Sequence, residues 1–266
     1  MTSGFRDPAG SLRKAELVAR WSLFELLWSP RTLAMLVIAA TPIGLALVYR
    51  LALAFRMAEA AGFSAFNSMA AGVAFPFVAP MLSLLYASGA VKDDIEAGTM
   101  PYYLTRPLSR RAFLSGKMLA SFTMALGLLL PSLVATYYIV LAPEGWNEIG
   151  ARFPSLARCL AVAALGLAAY DGIFALAGTL LRKPLIAGLF FIFGWQAVAT
   201  FVPGRARLLT VAHYLSSLMP SSSQSEGFAG LFGGRSSVIQ SLVTLLVIAF
   251  VSHGLALAAF SRKEIR

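Results

Sequence analysis

The sequence predicts an all-α, polytopic membrane protein, and three observations carry that prediction. Six long apolar runs recur along the chain, almost no charge falls inside them, and lysine and arginine are divided unequally between the segments that join them. The 266 residues are 58% hydrophobic and 13% charged, with a mean hydropathy of +0.75. A soluble domain carries about 45–50% apolar and about 25% charged residues. The composition therefore argues against a soluble globular enzyme and excludes a disordered chain.

The runs are Thr32 to Leu53, Met69 to Val91, Met118 to Ala142, Cys159 to Leu181, Pro184 to Val202 and Val238 to Phe260. A run of about 23 residues makes a helix of roughly 34 Å, enough to cross a hydrocarbon core of about 30 Å with some tilt. Lipid offers no hydrogen bonds, so each run must close its own backbone bonds, as a helix does. Pro42, Pro76, Pro80 and Pro131 lie inside runs and predict kinks.

Topology follows from the 22 basic residues, set against 12 acidic ones. With the N-terminus in the cytoplasm, fifteen Lys and Arg fall on the cytoplasmic side and seven outside. That bias predicts six spans with both termini cytoplasmic. With basic residues placed between spans, the net charge of +10 reads as orientation in a bilayer and not as nucleic-acid binding. The single cysteine, Cys159, leaves no intrachain disulfide.

Before the first run, Leu17, Trp21, Phe24 and Trp28 fall at spacings of four, three and four, with Arg13, Glu16 and Arg20 on another face. This predicts an amphipathic helix at the cytoplasmic interface within residues 1–30; packing on a partner protein is the alternative. Ser29-Pro30 reads as an N-cap followed by the first helical position, and Pro184 as the start of the fifth span. Between the last two runs, segment 203–237 is an outer stretch. Leu208, Val211, Ala212, Leu215, Leu218 and Met219 recur there at helical spacing, which predicts a short helix at the outer interface.

The loop between the second and third runs is the richest in signals. Asp93, Asp94 and Glu96 come first, Gly98-Thr99 can end one helix and cap the next, and Tyr102, Tyr103 and Leu104 give a short apolar stretch. Pro107 stops it, and Ser109 is placed to cap the following span. A short amphipathic helix parallel to the membrane is predicted; an ordinary basic loop that only sets topology is the plain alternative.

Glu96-x-Gly98-Thr99, then Leu104-Thr105-Arg106-Pro107-Leu108-Ser109-Arg110, then Gly116-Lys117, resembles the type-2 ABC transporter permease family. The order of elements is also similar over nearly the whole chain. The resemblance implies one permease domain over 1–266, with a six-span bundle at 31–261. It also implies that the loop is a coupling helix docking into a separate ATP-binding subunit, through Glu96, Gly98, Thr99, Leu104, Arg106, Pro107 and Arg110. Two permease chains, identical or related, would form the pathway as an exporter of unspecified substrate; the abundance of alanine and the N-in topology suit a bacterial inner membrane. The Lys92-Asp93-Asp94 start departs from the Arg/Glu-rich residues of many relatives. No cofactor is expected on this chain itself. A P-loop needs G-x-x-x-x-G-K-[ST], whereas Gly116-Lys117 precedes Met118, and Arg111 stands where the earlier glycine would be. ATP and Mg belong on the partner, and no enzymatic activity is expected here.

The fourth run carries an interior acid, Asp171. At alternating four-three spacing its neighbours are Ala157, Ala161, Ala164, Ala168, Ala175 and Gly178, a small-residue stripe suited to close helix packing. An acid at that depth costs about 2.5–3.5 kcal/mol unless paired or neutral. It reads either as a proton, cation or headgroup contact, or as a structural hydrogen bond to a Ser, Thr, Tyr or Gln on a facing span, such as Gln196. A dimer seam through the stripe is a third reading. His213 and His253 are far apart in sequence and read as structural. A stand-alone carrier or channel built on Asp171, and a non-transporting scaffold, are the competing functions.

Overall fold

The computed structural model describes residues 8–56, 62–89, 109–196, 208–219 and 237–262, apart from the side chains of 8–14 and of Gln196. Among the described residues all regular structure is helical. Five helices are long and apolar enough to cross a membrane: Pro30–Ala54, Gly62–Gly89, Arg110–Glu144, Phe153–Leu180 and Val238–Arg262. They correspond to the first four predicted runs and the last. The fifth run forms a shorter apolar helix, Pro184–Trp195, and its residues 197–202 lie outside the described part.

Local signals set the helix starts. Ser29 is extended (φ −75°, ψ 137°) and its hydroxyl accepts from the Arg31 amide at 3.3 Å, with Pro30 first in the helix. Ser109 does the same for the third span, accepting from the Ala112 amide at 3.2 Å. Pro184 opens its helix as expected. The third span begins at Arg110, eight residues before its apolar run, because the capped turn propagates through polar sequence. Lys117, expected among the loop cations, is therefore inside the helix and only 9% exposed, its ammonium 5.5 Å from the Phe113 ring centre.

The prolines act differently from one another. The first span breaks at Ala40, between Pro30–Ala39 and Thr41–Ala54. Pro42 lacks the amide that would bond Ile38, and the Thr41 hydroxyl donates to that carbonyl at 2.7 Å instead. The opened turn also exposes the Ala39 carbonyl, which accepts from Ser132 of the third span. In the second span, Pro76 sits in a π-helical stretch, Ala70–Val78, and Pro80 is in the first turn of the α-helix that follows, Ala79–Ala87. Pro131 is absorbed in the third span without interrupting the helix.

Chain direction places two ends. The N-terminal helix (Pro8–Leu27), the start of the first span, the end of the second and the start of the third share one end, the near end. At the far end Glu144 accepts from the Gly62 amide at 2.8 Å and the Tyr137 hydroxyl donates to Ile149 at 2.7 Å. The N-terminal helix packs along the third span. A Cβ on Gly116 would stand 2.8 Å from that of Val18, so glycine permits the approach. Ala19 and Ser22 are buried, whereas Leu17, Trp21, Phe24 and Trp28 are exposed. The predicted apolar stripe is thus turned away from the rest of the chain, as both the interfacial and the partner-packing readings require.

The fourth span is central. Gly166, Gly172 and Gly178 are six residues apart, so each is turned by about 120° from the last. Each meets a different neighbour: Leu215, the Ser252–His253 pair of the last span, and the backbone of Ser88 in the second. Added Cβ atoms would stand 2.7 Å from Leu215 Cδ1 and 2.8 Å from the Ser88 oxygen. Two expectations change here. Within this chain the Ala157–Gly178 stripe is not one continuous packing seam: Gly178 and Ala175 are buried, but Ala157 and Ala161 are exposed. The short helix of the outer segment exists, as Val211–Leu218, but it does not lie across the outer surface. Leu215 is fully buried against Gly166, about halfway along the fourth span, so the helix is inserted between spans.

Candidate functional site

The described structure brings one polar cluster together inside the bundle. Asp171 on the fourth span is wholly buried. The Ser121 hydroxyl of the third span donates to its Oδ1 at 2.7 Å. His253 of the last span places Nε2 3.7 Å from Oδ2, and this ring is about a third exposed (34%). The ring's other nitrogen, Nδ1, lies 2.8 Å from the Ala249 carbonyl one turn earlier. Oδ2 itself has no hydrogen bond.

The three residues meet because they share a depth. Asp171 and His253 each lie about nine residues, and Ser121 about eleven, from the near end of their helices. At 1.5 Å per residue all three lie roughly 15 Å from the near ends of their helices. Gly172 completes the arrangement, since a Cβ there would overlap Ser252 and the His253 ring. A hydrogen bond from a facing span is present, from Ser121, which is compatible with each of the readings of Asp171. Gln196 ends the π-helical stretch Phe190–Gln196, and its side chain is outside the described part. His253 has a contact with the acid that sequence reading did not assign.

On the near-end side of this cluster lies a cleft of about 370 Å³. Ser22 and Glu25 of the N-terminal helix, Arg31, Tyr86 and Lys117 line it, and Ser121 reaches its wall. The Tyr86 hydroxyl also donates to Thr32 at 3.3 Å, joining the second span to the first. In sequence the predicted coupling segment joins the end of the second span to the start of the third. Glu96, Gly98, Thr99, Leu104, Arg106 and Pro107 lie outside the described residues; Arg110 is the first residue of the third span, directly after its Ser109 cap.

With these elements in place, comparison with known families is informative. Residues 26–265 match the family model described as ABC-2 family transporter protein. The chain belongs to that family. As an ABC-2 protein with several membrane-crossing helices it is a multi-pass membrane protein of the transport-subunit type, a class that in general works with an ABC ATPase subunit. No curated protein matches the chain. Among the described residues no group of three or more His, Cys, Asp or Glu is placed to hold a metal ion.

Proposed function

We propose that this chain is the membrane-spanning permease subunit of an ABC exporter, with ATP hydrolysed by a separate subunit. The observation that carries the reading is the family match across residues 26–265, nearly the whole chain. In this reading the N-terminus, the C-terminus and segment 96–110 face the cytoplasm of a bacterial cell, and the fifth run completes a sixth span. Two permease chains form the pathway. The segment containing Glu96, Gly98, Thr99, Leu104, Arg106 and Pro107 is the docking helix, and Arg106 with Arg110 faces acidic groups on the ATPase.

The described geometry supports this placement in one respect. Segment 90–108 joins the end of the second span to the capped start of the third, and the N-terminal helix packs on the third span by way of Gly116. A push on the segment is therefore delivered to two membrane helices and the interfacial helix together. Substrate class is left open by these observations.

The test is copurification of the chain from its native host in mild detergent, with mass spectrometry of what accompanies it. A stoichiometric P-loop subunit is expected, and Arg106→Glu with Arg110→Glu is expected to release it. A chain that stays alone even after cross-linking overturns the reading in favour of an Asp171-based carrier.

A further inference from the structure

The cluster around Asp171 is one hydrogen short. A backbone carbonyl only accepts, so the 2.8 Å contact with Ala249 requires the hydrogen of His253 to sit on Nδ1. In the neutral ring Nε2 is then a bare acceptor. It faces Asp171 Oδ2, also an acceptor, buried and without a hydrogen bond. An ionised Asp171 opposite a neutral His253 would place two lone pairs against each other and leave an uncompensated negative charge inside the bundle. One added proton removes both faults. On Nε2 it makes an imidazolium–carboxylate pair; on Oδ2 it makes a carboxylic acid donating to Nε2. Either way one hydrogen lies between the groups and the net charge is zero.

We propose that Asp171 and His253 form a one-proton binding site that clasps the last span to the fourth, reached from the near-end cleft through Ser121. Ser121 is suited to the passage. Its hydroxyl has two acceptors in range, Asp171 Oδ1 at 2.7 Å and Met118 O at 2.9 Å, and its single hydrogen serves one at a time. A proton from water in the cleft joins the Ser121 oxygen as the serine passes its own hydrogen to Oδ1. A half-turn of the carboxyl then carries that hydrogen to face Nε2. Release runs the same steps backwards and returns the proton to water.

The neighbouring helices leave this pair to itself. Charged or titratable side chains on the pair's own and neighbouring elements are Arg158, Cys159 and Tyr170 on the fourth span, Arg110, Arg111, Lys117, Tyr137, Tyr138 and Glu144 on the third, Tyr86 on the second, and His213 and Tyr214 on the short inserted helix. Arg262 ends the last span and Glu148 lies beyond the far end. Among the described residues the ion-pair contact of Asp171 is with His253. The sign follows: the clasp is closed when the proton is bound, and opens as pH rises through its release. The site does not depend on the transport reading.

The experiment uses the full chain in lipid nanodiscs, with His213→Gln leaving one histidine for ring nitrogen-15 NMR. A second measurement takes the distance between spin labels at Ala161 and Phe250, both exposed, in a Cys159→Ala background. The expected result is an Nε2 that is protonated or hydrogen-bonded on the acid side and becomes bare in a one-proton step. The label distance lengthens in the same step. Asp171→Asn, whose amide supplies the missing hydrogen without titrating, should hold the short distance at every pH and abolish the step in label distance. A bare Nε2 at all pH values, or an Asp171→Asn chain that opens like the parent, overturns the proposal. If copurification finds no ATPase partner and this titration is still seen, the permease reading falls and this one stands.

Discussion

The fourth and last spans are alike in length and apolarity, yet opposite in surroundings. Their mean hydropathies are 1.9 and 2.3, but 61% of the apolar stretch of the fourth is buried in the protein against 22% of the last. Hydropathy places both in the membrane and does not rank them within it. Lipid tails are as apolar as leucine, so association depends on how closely backbones approach. The fourth span has glycine on three faces, each against a different neighbour. The last span has exposed Ile239, Val243, Val247, Phe250 and Val251. Side-chain size, not apolarity, separates the centre from the rim.

The sharpest way to break that contrast is a bulky residue on each helix. Gly172→Leu drives a side chain into Ser252 and the His253 ring, and should cost about 3 kcal/mol. Gly254→Leu enters space with nothing within 4 Å and should be near neutral. Unfolding in detergent, followed by helical circular dichroism, separates the two. Equal losses would remove the steric account of the centre.

Truncation should give a smaller difference in the same direction. Phe174 is 1% exposed and Phe250 is 76% exposed. Because the environment outside is also apolar, only the cavity part of the usual cost applies, about 2 kcal/mol for Phe174→Ala. Phe250→Ala should stay within about 0.5 kcal/mol. The comparison fails if Phe250→Ala is the more damaging in the same melts. Smaller again, Ser109→Ala removes the cap of the third span and should cost about 1 kcal/mol. It should also speed amide exchange at Ala112, whereas the fourth span, which has no side-chain cap, offers no equivalent site.

What could be read in advance follows the range of the forces involved. The Ser29, Ser109 and Pro184 starts are local, and each is found as expected. The apolar runs lie within a few residues of the helices at most ends, but the third helix starts eight residues early because capping outranks polarity. The small-residue stripe follows a strict seven-residue repeat. A straight helix drifts about 20° per heptad from that repeat, so by Ala157 the line has left the packed face. The acid partner was the hardest to find. Asp171, Ser121 and His253 lie on three helices, and only their shared depth, countable from the helix ends, could have paired them. The coupling residues from Glu96 to Pro107 fall outside the described residues, so the loop motif stands on sequence alone.

The kink at Ala40 has a consequence for the first span. That helix is mostly exposed, with 22% of its apolar stretch buried, and an apolar rod in an apolar liquid has little reason to prefer one azimuth. Two polar pegs supply the preference. Ser132 holds the carbonyl that the break uncovers at Ala39, and Tyr86 holds Thr32 near the entrance. A proline that weakens the helix thereby gives it a compass bearing. With Ser132→Ala and Tyr86→Phe together, a spin label at Leu47 should report a broad spread of distances to the third span where the native chain reports one.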